Sequence, residues 1–292
     1  MEKDAKSKCL SLRDRFIMWQ EIEGFFNRAF KLSYTRKKIL FLFPILVVCG
    51  VLIVLCHTLW IGANPWVRAS LAFIPALLCS GVFMATGVPL IRLYHDEVKG
   101  KPVFVRKTLQ NSWGLIGGIA SLTVPLLTAY LVLWFILGLF YLLKNIPAVG
   151  EFLGVVLSFG PFLLILGSLI IGLMALVLVF FMTPWVALKS TAKWEIAEEL
   201  LKNIGEQPFL YFILLILGLL PLLIVVGLLV LAATLTGMTF IVAEGTWTIA
   251  LQWFCIMIPF AAILSPVIIF FFNFGTESLA FLQRRTKNRP LV

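Results

Sequence analysis

FLGVVLSFGPFLLILGSLIIGLMALVLVFFMTPWVAL, the run from Phe152 to Leu188, holds 37 residues without a charged or histidine side chain. It lies between Glu151 and Lys189. A helix crosses the roughly 30 Å hydrocarbon core of a bilayer with about 20 residues, so this run is one crossing with residues to spare. Composition agrees. Of 292 residues, 61% are hydrophobic and 13% charged, and the mean hydropathy is +1.03. Soluble domains have about 45–50% apolar and about 25% charged residues. No segment is long and polar enough to form a soluble domain beside the apolar runs.

Working outward, five further runs have the length of a crossing. The expected spans are 39–62, 69–91, 113–143, 161–188, 209–235 and 249–274. Together they make 39–274 a six-span membrane domain. Ser158-Phe159-Gly160-Pro161 interrupts the central run, because a proline has no amide to give a helix and disfavours helical geometry just before it. The regular crossing is therefore predicted to begin near Pro161, with Phe152–Phe159 as an interfacial or re-entrant piece. The fold class is all-α: a polytopic membrane protein whose six transmembrane helices form three hairpins, with interfacial amphipathic helices on the cytoplasmic face.

Orientation follows from the bases. Segments 1–38, 92–112, 189–208 and 275–292 share one side and hold 22 of the 24 Lys/Arg, leaving only Arg68 and Lys144 opposite. The positive-inside rule then puts both termini in the cytoplasm. The membrane expected is a plasma membrane of the bacterial inner-membrane kind. The net charge of +10 is thus read as attraction to an anionic inner leaflet, not to nucleic acid. Candidate headgroup contacts are Arg36, Lys37, Lys38, Arg106, Lys107, Arg284 and Arg285.

In the basic segment 1–38, Leu12, Phe16, Trp19, Phe26 and Phe30 recur at helical spacing. Arg13, Gln20, Glu21, Asn27 and Lys31 take the other side. That pattern predicts an amphipathic helix lying in the headgroup region. A polar loop is expected from Arg92 to Ser112. In 189–208 a helix is signalled, with Thr191 as cap, Gly205 as stop and Pro208 beyond. Its polar face, Glu195, Glu198, Glu199 and Lys202, is the candidate docking site for a membrane or cytoplasmic protein partner. In the basic tail 275–292, Thr276 is expected to cap a short separate helix with Glu277 in its first turn.

The segment 189–208 resembles, in a short part only, the helix by which permease subunits of ATP-binding-cassette importers dock their ATPase. Glu195-Ile196-Ala197 and Gly205 carry the resemblance. The second residue differs from that family's E-A-A pattern, the glycine lies too far along, and the downstream Ile-x-Leu-Pro is only loosely echoed before Pro221. The resemblance would imply an ATPase partner; it does not assign the family.

Chemistry is sparse. With these boundaries every Asp, Glu, Lys and Arg falls outside the spans, whereas ion and proton paths need ionisable groups within them. His57 near the outer end of the first span is read as an interface histidine. His95-Asp96-Glu97 is read as a solvated loop, since adjacent residues do not converge on one ion. Cys9, Cys49, Cys56, Cys79 and Cys255 contain no C-x-x-C and suggest no disulfide framework. Ser158 and Ser168 have no nearby His or Lys in sequence. No catalytic, cofactor or metal site is assigned. The pairs Gly114/Gly118, Gly154/Ser158 and Ser168/Gly172 suit close helix packing within the bundle. The expectation is a non-catalytic membrane component acting through helix packing and its basic cytoplasmic face. The alternative is a transporter or permease subunit for an uncharged or apolar solute.

Overall fold

A computed structural model describes residues 19–60, 63–102, 104–144, 159–188, 193–239 and 246–287. Nearly all of these are helical, and no strand occurs among them. The helices are α1 (19–31), α2 (Arg36–Trp60), α3 (Pro65–Val98), α4 (Val105–Ala120), α5 (Val124–Lys144), α6 (Phe159–Val177), α7 (Thr183–Leu188), α8 (Lys193–Glu206), α9 (Pro208–Thr239) and α10 (Thr246–Lys287). Six stretches are long and apolar enough to cross a membrane: Arg36–Leu59, Ser70–Val98, Val105–Phe140, Phe162–Leu188, Pro208–Thr236 and Leu251–Arg285. The fold is all-α, and these six helices fit a multi-pass integral membrane protein.

Long-range contacts define two ends. Lys38 at the start of α2 meets Glu97 at the end of α3, and Tyr94 of α3 meets Glu277 late in α10. Arg92 meets Ala187 at the end of α7 and Ser112 in α4. At the other end His57 of α2 meets Trp253 of α10, and Tyr130 of α5 meets Ser70 of α3. We call these the ionic end and the far end.

The core is concentrated toward the ionic end. Phe180 and Phe181 pack on Phe271, Phe274 and Tyr211, with ring centroids 4.7–6.2 Å apart. Leu42, Met84, Leu90, Trp185 and Leu214 surround them. Aromatic pairs offset or edge-on add to the area they bury. A smaller cluster, Leu77, Tyr130 and Ala175, joins α3, α5 and α6. The outward faces of α6 and α9 are bare: Leu163, Leu169 and Leu173 on one, and Leu220, Leu223 and Leu228 on the other, are exposed. In water such faces would be untenable; hydrocarbon tails satisfy them.

The helix carrying Phe162–Leu188 is not uniform. It begins at Phe159, with Pro161 in its first turn, and Phe152–Ser158 lies outside the described residues. A π-helical turn, Leu178–Met182, then precedes Pro184. Pro184 cannot donate to the Phe180 carbonyl and its ring crowds it, so the backbone widens there. The third span also has a joint, a 3-10 turn at Ser121–Thr123. Pro125 follows it in the first turn of α5, where a missing amide costs nothing.

Several local expectations are corrected. The polar stretch from Arg92 to Ser112 is mostly helical, not a loop: α3 continues to Val98 and α4 starts at Val105. The reversal is compressed into a Schellman turn. Lys101 N–H donates to Asp96 O at 2.9 Å, Gly100 N–H donates to Glu97 O at 3.0 Å, and Gly100 takes φ 69°. Thr276 caps no separate tail helix. α10 runs unbroken through it, and its hydroxyl donates back to Phe272 O at 2.8 Å. The preceding Gly275 marks close packing, not a stop: a Cβ there would stand 2.9 Å from Phe180 O. Gly205 lies inside the last turn of α8 and Pro208 opens α9; Gln207 makes the break. The Thr191 cap lies outside the described residues.

Helix α1 is rotated from its expected setting. The buried positions are Ile22, Phe25 and Ala29, while Trp19 and Phe30 are about half exposed. Phe25 packs at a tilt against Phe274 and Phe281 of α10, and Phe26 packs edge-on against Phe270. One apolar side of α1 is therefore covered by protein. Leu12 and Phe16 lie outside the described residues. Of the small-residue pairs, Gly114 and Gly172 find nothing within 4 Å of a Cβ position among the described residues. Gly154/Ser158 lies outside the described residues.

Candidate functional site

The polar groups of the ionic end converge on two carboxylates. Lys38 belongs to the stripe Lys38, Leu42, Leu46 and Cys49, spaced at helical intervals and all buried. Its ammonium is fully enclosed. It donates to Glu97 Oε2, donates to Leu32 O at 3.2 Å, and lies 5.3 Å from the centre of the Tyr94 ring. Thr35 Oγ1 donates to Glu97 Oε1 at 2.9 Å. The Tyr94 hydroxyl donates to Glu277 Oε1 at 2.6 Å, and Arg28 Nη1 reaches the same oxygen at 3.5 Å. Asn273 Nδ2 donates to Ala29 O at 3.3 Å.

Physically this is a clamp. A buried ammonium is tolerable only when a counter-charge and further acceptors replace its water. Lys38 has a carboxylate, a carbonyl and an aromatic face. Through them the 3-10 turn Leu32–Tyr34 and the ends of α2 and α3 are held together. Glu277 extends the set to α10 and α1. Each charge of the cluster is answered by a neighbour, so the arrangement holds helices together. Beside it Arg92 uses three contacts of 3.1 Å, from Nε to Ala187 O and from Nη1 to Asn111 O and Ser112 Oγ. A guanidinium on the last carbonyls of α7 also opposes the negative end of that helix.

Two sequence readings change here. Lys38 is enclosed by protein and does not face headgroups, and the long helices run past the expected spans, carrying Lys38, Glu97 and Glu277 just outside 39–62, 69–91 and 249–274. Glu97 is not part of a solvated loop but turns inward on α3. The other candidate bases, Arg36, Lys37, Arg106, Lys107, Arg284 and Arg285, are exposed; Arg285 also lies 5.2 Å from the Phe281 ring centre. On α8, Glu198, Glu199 and Lys202 are exposed while Leu200 is buried; the Glu195 side chain lies outside the described set.

At the far end, Ile53, Val54, Cys56, His57, Leu71, Ala72, Pro75, Trp253 and Met257 line a cleft of about 250 Å³. His57 meets Trp253 edge-on at 5.3 Å. Tyr130 donates to Ser70 O at 2.5 Å, near Ser168 and Trp134. Among the described residues, no three His, Cys, Asp or Glu come together to hold a metal.

No family model, no curated protein and no solved structure matches this chain.

Proposed function

We propose that this integral membrane protein is a non-catalytic component. It works through how its helices pack and through a basic face turned toward an anionic inner leaflet. Both termini lie in the cytoplasm of a cell whose plasma membrane it spans, of the bacterial inner-membrane kind. The observation that carries this reading is the clamp. Its enclosed ionisable groups are spent on one another, which suits a structural joint better than a transport path. Arg36, Lys37, Arg106, Lys107, Arg284 and Arg285 are exposed and belong to segments that share that end in the charge count, placed to meet phosphates. Exposed Glu198, Glu199 and Lys202 on α8 give a protein partner a charged surface.

The test has two arms. Single cysteines replacing Arg106 and Arg284, in a background without the native cysteines, are expected to react with an impermeant thiol reagent from the same side of a vesicle. A cysteine replacing Arg68 should react from the other. Reaction of 106 and 284 from opposite sides would sink the threading. In the second arm, charge reversal at Glu198, Glu199 and Lys202 should release a co-purifying protein while leaving thermal stability unchanged.

A second reading has one observation in its favour. The far-end cleft gives an uncharged or apolar solute somewhere to sit, so a transporter or permease subunit remains the alternative. Uptake of such a solute into vesicles by the purified protein would support it.

A further inference from the structure

The far-end cleft lies between α2, α3 and α10, away from the clamp. Its walls are aliphatic apart from Cys56, His57 and Trp253. Ile53 at its rim is exposed, while Val54 and Cys56 are buried. One face of α3 continues upward out of it. Pro75, then Ala72 and Leu71, then Arg68 follow one another at spacings of three and four, so all four share a side of the helix. Arg68 therefore stands about 10 Å along the helix axis from Pro75.

Arg68 is exposed. Its Nε donates to Ala63 O at 2.8 Å, which fixes the start of the guanidinium. By sequence it is one of only two bases at this end. The layout is thus an apolar slot that also holds an imidazole and an indole, with a cation farther along the same side of α3. It is complementary to an amphiphile with an anionic head and a hydrocarbon tail. The slot is too small for a bulky solute but suits a segment of one chain.

We propose that this cleft is a binding site for one anionic phospholipid of the far leaflet. The phosphate meets the Arg68 guanidinium near His57, and one acyl chain enters between Val54, Leu71, Pro75 and Met257. Arg68 supplies the charge selection, because a planar guanidinium pairs two phosphate oxygens at once. This goes beyond the inner-face reading and does not depend on it.

The experiment uses the whole protein in phosphatidylcholine vesicles that carry a trace of phosphatidylglycerol with a diazirine on one acyl chain. After photolysis, adducts are mapped by peptide sequencing. Adducts concentrated at 53–57, 71–75 and 253–257 are expected, falling several-fold when unlabelled phosphatidylglycerol is added in excess. Arg68→Gln, at an exposed position, should lower them by a similar factor with the thermal unfolding midpoint unchanged. Ala72→Phe, which fills the slot, should lower them as well. The proposal fails if adducts spread evenly over the outward faces of α5, α6 and α9. It also fails if excess phosphatidylcholine or inorganic phosphate competes as well as phosphatidylglycerol, or if Arg68→Gln leaves the cleft labelling intact.

Discussion

Lys38, in the first turns of α2, and Glu97, at the end of α3, form a salt bridge whose ammonium is wholly enclosed while the carboxylate keeps about a fifth of its surface open. Removing one member of a buried pair strands the other, at about 3–5 kcal/mol. Glu97→Ala should therefore lower stability by about that amount, measured by thermal or denaturant unfolding of the purified protein. The double variant Lys38→Met with Glu97→Leu should recover most of it. Equal losses for the single and double variants would mean that the pair is not the source of the cost.

Tyr94→Phe deletes the hydroxyl that Glu277 accepts at 2.6 Å and leaves Arg28 as its remaining partner. Losing a hydrogen bond to a charged group costs about 1.5–3 kcal/mol. Because Glu277 also holds α1, amide hydrogen exchange across 22–31 should speed up more than across α9. Uniform acceleration of both helices would argue against a local joint.

Arg92→Lys keeps the charge and loses the geometry. A single ammonium on a shorter donor set cannot serve Ala187 O, Asn111 O and Ser112 Oγ together. A destabilisation of about 1–3 kcal/mol is expected, close to that of Arg92→Ala. Full stability of the lysine variant would show that charge alone suffices.

Gly275→Ala places a methyl group 2.9 Å from the carbonyl oxygen of Phe180. That atom is backbone beside a π turn, so it cannot swing aside as a side chain would. The expected cost is about 1–3 kcal/mol, the usual range for overpacking. Phe180→Leu should not rescue it, since the clash is with the oxygen and not the ring. Rescue by that change would relocate the clash.

The membrane class was legible because hydrocarbon imposes it: uncharged runs of spanning length have few other uses. Six crossings followed from the same rule. The ends of the helices were not legible. Arg92, Asp96, Glu97, Glu277 and Arg284 look like water-side residues, yet α3 and α10 carry them as helix beyond any apolar boundary. Charge marks where a hydrocarbon layer stops, not where a helix does. A better signal was present for Lys38. It is in phase with Leu42, Leu46 and Cys49, and a base in register with a buried stripe is a candidate for an inward partner. Tyr94 and Glu97 share a side of α3 in the same way. The setting of α1 was ambiguous because aromatic residues occur on both of its flanks; only the position of α10 decides which is covered. The cleft below Arg68 was invisible, since it is a gap among three helices distant in sequence.

The ion pair between Arg28 and Glu277 joins residues 249 positions apart. A ribosome makes α1 before all six of these crossings and α10 only with the sixth of them. During that interval Ile22, Phe25 and Ala29 have no α10 to cover them. Insertion of the first five crossings thus yields an unfinished assembly, and the arrival of the sixth is the event that seats the earliest described helix.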